Sequence, residues 1–200
     1  MANSPKFTDP LLTPENSALV VIDFQPTQVG AVRSMDGDLM TRNAVSLAQI
    51  ATVFRLPVVL STVNVANGQP PTVPELKAVL ADSAEIDRTQ INAWEDVEFR
   101  AAVEATGRRK LIISALWTEA CLTYPTLDAL RAGYEVYPVV DAVGGTSEEA
   151  HRAALRRMEA AGAQPVSWVS VATELQRDWI RLDTAVPIRQ LVVIDRLMKE

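Results

Sequence analysis

One cysteine, Cys121, and one histidine, His151, are all that 200 residues supply of either type. A lone cysteine excludes an intramolecular disulfide and suits a reducing compartment, so a cytoplasmic location is expected. A lone histidine excludes a His-rich metal site, and any Ser-His-Asp or Cys-His pair would have to use it. Positive charge is also scarce. Nineteen Lys and Arg face 25 Asp and Glu, a net charge of −6, with an isoelectric point of about 4.9. A nucleic-acid footprint needs a basic patch, and the same deficit gives an anionic membrane surface nothing to hold; neither is an expected partner. No apolar run approaches the roughly 18 residues of a membrane span. The opening Met1-Ala2-Asn3-Ser4-Pro5-Lys6 lacks the apolar core of a signal peptide. Glycine is sparse, and Gly144-Gly145 has neither the GxGxxG nor the P-loop spacing. Nucleotide binding is set aside, and no cofactor is expected.

What is there is apolar content, 48% of the chain, enough for the core of one domain. Short β-branched or apolar runs predict strands at 18–23, 57–63, 84–88, 111–116, 135–140 and 165–169. Helical spacing predicts helices over 39–55, 73–80, 95–106, 119–132, 147–161 and 172–180. Pro125 is expected in the first turn of its helix or at a kink. Gly107, Gly133 and Gly162 each follow a helix and precede an apolar run. That is where a glycine ends a helix in the left-handed conformation. Repeated βα units of this kind predict an α/β fold: a three-layer α/β/α sandwich around a six-stranded, parallel, doubly wound sheet. One domain spans 1–200, with 1–17 and 183–200 as peripheral segments. The apolar Leu191-Val192-Val193-Ile194 is expected to pack on the core or on a partner chain.

Ligands of open parallel sheets bind outside the carboxyl ends of the strands. Asp23, Arg88, Cys121 and Asp141 all fall on that rim. Each has a plainer role. Asp23 could cap a turn, Arg88 could pair on the surface with Asp87 or Glu85, and Asp141 could cap its own loop. Cys121 could be an inert buried hydrophobe. Its place at a strand-to-helix turn is also where a helix N-terminus lowers a thiol pKa toward the thiolate. If the strands at 18–23 and 111–116 are neighbours, Asp23 meets Cys121 and serves it as base or proton shuttle. A carboxylate alone raises a thiol pKa, so a cation is needed beside it, and Arg88 supplies one. His151, within a charged helical stretch, reads as solvated or helix-packed. Trp94, Trp117 and Trp168 read as packing anchors, and Trp117 also abuts the cysteine turn.

Several segments together resemble the isochorismatase-like cysteine hydrolases, and most closely their YcaC-like branch. They are Val20-Val21-Ile22-Asp23-Phe24-Gln25, Gln90-Ile91-Asn92-Ala93-Trp94-Glu95-Asp96, Thr118-Glu119-Ala120-Cys121, Gly162-Ala163-Gln164 and Glu174-Leu175-Gln176-Arg177-Asp178-Trp179. The resemblance implies a triad of Asp23, Arg88 and Cys121, with arginine where most of the family has lysine. It implies a non-proline cis peptide at Trp117-Thr118, and an oxyanion site drawn from Trp117, Thr118 and Cys121. Phe24, Gln25, Asn92 and Trp94 are the candidate substrate-pocket residues. The nicotinamidase branch holds a metal through an Asp/His cluster. No histidine lies in 61–67 here, so no metal is expected. The implied activity is hydrolysis of a small amide-like C–N bond through a Cys121 thioester, by a homo-oligomer of two to eight copies. Two other readings stand beside it: a catalytically silent oligomeric binding protein, and an isochorismatase-type vinyl ether hydrolase.

Overall fold

The computed structural model describes residues 9–197, with side chains through Val193. Five parallel strands form one sheet in the order β3-β2-β1-β4-β5. They are β1 (Ser17–Ile22), β2 (Val58–Val63), β3 (Glu85–Arg88), β4 (Lys110–Ala115) and β5 (Glu135–Pro138). The helices between and after them are α1 (Pro26–Gly30), α2 (Gly37–Val53), α3 (Pro74–Val79), α4 (Val97–Ala105), α5 (Thr123–Arg131), α6 (Glu148–Ala160), α7 (Trp168–Gln176) and α8 (Leu182–Arg189). No helix among the described residues is long and apolar enough to cross a membrane.

Strand β1 explains the layering. All six of its residues are buried, because successive side chains alternate between two covered faces. Leu19 and Val21 join one core with Leu47 and Ile50 of α2, Leu76 of α3, and Val171 and Leu175 of α7. Ala18, Val20 and Ile22 join the other, with Phe99 and Val103 of α4, Ala129 of α5 and Met158 of α6. β1 also lies where the strand order reverses. It pairs with β2 on one side and with β4 on the other, where Ile22 is opposite Ala115. A doubly wound sheet opens its ligand crevice at such a switch point.

Three features depart from the sequence reading. The sixth strand at 165–169 is reduced to a single bridge, Val139 to Val166. Ser167 instead caps a helix, its hydroxyl accepting the Ser170 N–H at 3.1 Å, so Trp168 and Val169 begin α7. A cap available one residue after the bridge outweighs the β-propensity of an aromatic and a β-branched residue. The helix expected over 119–132 is split into a π-turn at Thr118–Leu122 and α5, with Pro125 in the first turn of α5. The terminal segments are less peripheral than expected. Leu12 and Asn16 are buried, as are Ala185, Ile188 and Val192, with Leu191 and Val193 against the same core. Ile194 lies outside the described side chains. Buried Lys110 holds the first segment, donating to the carbonyls of Asp9, Pro10 and Leu11 at 2.8–3.2 Å. The three glycine stops hold: Gly107, Gly133 and Gly162 have φ of 63°, 89° and 106°.

Candidate active site

Asp23 is the first residue after β1 and is completely buried. Its N–H donates to Ser61 O at 2.9 Å, while its φ of 60° places it in the left-handed region. Aspartate tolerates that region better than most residues but at a cost. Arg88 ends β3, two strands away, and reaches back across β2. Its Nη1 donates to Asp23 Oδ1 at 2.7 Å and its Nη2 to Oδ2 at 2.8 Å, with neither side chain exposed. Nη1 also donates to Thr62 O at 2.9 Å. This is the bidentate fork that arginine makes and lysine cannot. Burial opposes the guanidinium charge, but the Asp23 contact outweighs it and raises the Arg88 pKa. The surface pairing is not made. Asp87 accepts the Val65 and Ala66 N–H groups, and Glu85 faces Lys77.

Cys121 sits in the π-turn after β4, 8% exposed. Ala120 and Leu122, on either side of it, both donate to Trp117 O, at 3.0 and 3.2 Å. Asp23 lies against the thiol as charge and as acceptor, so the parallel neighbours β1 and β4 do bring the two together. The electrostatics run against a standing thiolate. Burial first, and then the Asp23 charge and hydrogen bond, push the thiol up from 9.0 to about 12, against the pull of Arg88 and the Trp117 N–H. A helix N-terminus acts only over its first turn, whereas Asp23 is in contact with the thiol. In the resting site Cys121 is therefore a protonated thiol facing the Asp23 side chain, which Arg88 grips through both oxygens.

The non-proline cis peptide is Leu116–Trp117, one bond before the expected Trp117-Thr118. The Trp117 indole N–H donates to Gln28 O on α1 at 2.9 Å. Thr118 cannot offer its N–H to a substrate oxyanion, because that group is bound to Gly144 O at 2.9 Å. Of the four candidate pocket residues, Phe24 is wholly buried in the α2-side core. Gln25 is sealed by its own amide, which donates to Val63 O and Pro70 O and accepts from Val63 N. Asn92 caps the turn at Ala93–Glu95 and donates to Asp128 at 2.8 Å. Trp94 packs edge-on against Phe99 and Tyr134. Asp141 is a cap, accepting the Trp168 N–H at 2.9 Å. Among the described residues, no three His, Cys, Asp or Glu side chains come together as metal ligands.

The sequence reading missed the bolt behind the cysteine turn. Glu119 accepts the N–H and hydroxyl of Thr146, and His151 lies 2.9 Å from the Thr118 hydroxyl. The available signal was Gly144-Gly145. A Cβ on Gly144 would come within 2.6 Å of Val32 Cγ1, and one on Gly145 within 2.7 Å of Glu119 Oε2. A side chain at Gly145 would crowd Glu119 on the turn and the backbone of His151, so a residue without Cβ suits this close approach.

Comparison with known proteins identifies the family. An isochorismatase domain matches residues 17–170. The chain is 38% identical over 169 residues to "Probable hydrolase YcaC" of Escherichia coli, covering 84% of this chain and 81% of that one. The crystal structure of the E. coli ycaC product, described as an octameric hydrolase of unknown specificity, superposes with a TM-score of 0.88 at 36% identity, covering 95% of each chain. YcaC from Pseudomonas aeruginosa, solved with hexane-2,5-diol and covalent acrylamide, has a TM-score of 0.87 at 37% identity and covers 94% of this chain and 95% of that chain.

Proposed function

From the premise that this chain belongs to the isochorismatase family, in its YcaC-like branch, we propose that this hydrolase cleaves a small amide-like C–N bond through Cys121. The observation that carries the reading is the fully buried, bidentate Asp23–Arg88 pair set against the chain's only thiol at the sheet's switch point. Arg88 cannot give up its proton near neutral pH, so it holds the Asp23 charge and leaves proton movement to Asp23. As Sγ attacks the carbonyl carbon, Asp23 takes the thiol proton. The carbonyl electron pair becomes an oxyanion that the Cys121 N–H stabilises. Collapse breaks the C–N bond, and Asp23 passes its proton to the departing nitrogen. Water, deprotonated by Asp23, then attacks the thioester, and sulfur leaves with that proton, returning the thiol and releasing the acid. A raised resting pKa suits this sequence, because the charge on sulfur forms only as substrate displaces water and Asp23 accepts the proton.

The relative from P. aeruginosa carries covalent acrylamide, which is in keeping with a reactive nucleophile in this branch. The octameric E. coli relative supports assembly of this chain, and exposed Trp179, Ile180, Leu182 and Val186 offer an apolar surface for it. A silent binding protein is the second reading, favoured by the protonated thiol and the spent amides of Gln25 and Asn92. A panel of small primary amides, followed by intact mass for an acyl adduct on Cys121, separates the two. Turnover with a transient adduct, lost in Cys121→Ala, is expected. Full turnover by Cys121→Ala sinks the cysteine mechanism, and no turnover or adduct with any amide favours the binding protein.

A further inference from the structure

His151 stands in the first turn of α6, where its N–H donates to Ser147 O at 3.1 Å. Its Nδ1 lies 2.9 Å from the hydroxyl of Thr118, which is completely buried and opens the π-turn three residues before Cys121. Thr118 is otherwise held through its backbone alone. Its N–H is bound to Gly144 O, and its carbonyl accepts the Thr123 hydroxyl at 2.6 Å. The next residue, Glu119, has one carboxylate oxygen on Thr146 and the other, Oε2, buried without a hydrogen-bond partner. Oε2 and His151 Cβ both border the space in which a Gly145 side chain would stand, at 2.7 and 3.0 Å from it. His151 and the unsatisfied carboxylate oxygen thus flank the same glycine.

We propose that His151 is a positioning residue for Cys121: its neutral ring accepts the Thr118 hydroxyl, and its protonation releases the start of the nucleophile turn. The proposal rests on the reading of Cys121 as nucleophile. A neutral imidazole has one acceptor nitrogen, and a charged one has none. Protonation fills that acceptor, so the contact survives only if the Thr118 hydroxyl turns to accept from the ring, and it brings a cation beside Glu119 Oε2, which competes with Thr118 for it. The charges acting on the ring are Glu119 on the π-turn, which favours the cation, and Arg152 on its own helix, which opposes it. Arg157 lines the same groove as Glu119, and the loop 142–147 carries no charge. Half-burial prevails, so the ring stays neutral below its ordinary 6.5. Release of the turn loosens the packing that keeps the thiol protonated. Cys121 then reacts faster with a small alkylating agent while losing its alignment for hydrolysis.

Single copies of both residues make the test direct on the full chain. The His151 ring is titrated by NMR, and iodoacetamide addition to Cys121 is followed by intact mass between pH 5 and 9. In the wild type the rate should fall less than tenfold per pH unit over the window in which His151 titrates. His151→Ala and Thr118→Val should alkylate about fivefold faster at pH 8, the equivalent of one lost hydrogen bond, and lack the shoulder. His151→Asn can still take the Thr118 hydroxyl but cannot titrate. It should keep the wild-type rate at pH 8 and lose the shoulder, and it covers the case in which His151→Ala fails to fold. A purely structural histidine would lower thermal stability without any shoulder. A wild-type profile with no shoulder overturns the proposal, as does a Thr118→Val rate and profile matching wild type. Asp23→Asn run alongside keeps the two readings apart. A rate indifferent to that change sinks the Asp23–Cys121 coupling on which the nucleophile reading rests, whereas a missing shoulder sinks only the role of His151.

Discussion

Asp23→Asn should split two properties that usually move together: it should make Cys121 react faster with iodoacetamide and the enzyme hydrolyse more slowly. The thiol stands at about 12 against an ordinary 9.0, a preference for the protonated form of about 4 kcal/mol. Burial is the largest cause, and the Asp23 charge and hydrogen bond are the next two. Asparagine removes the second and third causes, so thiolate at fixed pH should rise by roughly tenfold, about 1 kcal/mol. Arg88, no longer neutralised by a carboxylate, pulls in the same direction. Hydrolysis should fall by about 100-fold or more, the usual worth of a positioned general base. The substitution also breaks a buried ion pair while keeping one oxygen for the Arg88 fork. That puts the stability loss near the low end of the 3–5 kcal/mol expected when one partner is removed. For a chain of this size, about 3 kcal/mol lowers the melting temperature by ~6–12 °C. Alkylation is measured at 10 °C by intact mass, with circular dichroism confirming the fold. A slower or unchanged alkylation rate in a folded Asp23→Asn would refute the account of what keeps the thiol protonated.

Arg88→Ala leaves the Asp23 carboxylate buried and uncompensated, and should cost about 3–5 kcal/mol in urea unfolding; Arg88→Lys should recover part of that loss but not the bidentate hold on Asp23. The alkaline limb of stability should report Cys121. Its folded pKa is raised from 9.0 to about 12, so its contribution is complete below pH 9 and is lost as pH rises toward 12. Urea midpoints at pH 8 and 10.5 should therefore differ more in wild type than in Cys121→Ala. Gly145→Ala would set a methyl group 2.7 Å from Glu119 Oε2 and 3.0 Å from His151 Cβ, and should cost about 1–3 kcal/mol by overpacking together with most of the hydrolytic activity. Gly30→Ala meets nothing within 4 Å and should leave both unchanged, by thermal melt and amide assay.

The parallel α/β plan could be read from the chain because its signals are local. Each apolar run is bounded by its own turn chemistry, and each glycine stop needs only its own φ. The rim positions of Asp23, Arg88 and Cys121 followed from the same strand ends. The missing sixth strand shows where local reading fails. Residues 165–169 carry strand-like side chains, but the Ser167 cap and the Asp141 carboxylate that meets Trp168 N–H make a helix start the better use of that backbone. The site was legible in its residue types and not in its charge state. The local signal at Cys121 was a helix N-terminus, which argues for a thiolate. What raised the thiol was burial first and then Asp23, 98 positions earlier in the chain and brought into contact by the pairing of β1 with β4.

Sequence alone thus determined the fold class, the three chemical groups and the strand ends that bear them. The tertiary structure decided what surrounds those groups. It placed Arg88 on both oxygens of Asp23, buried the thiol against that carboxylate, spent the amides of Gln25 and Asn92 on neighbouring groups, and set His151 behind Thr118. Desolvation and charge coupling act over a few ångströms in space, and no spacing along the chain encodes them.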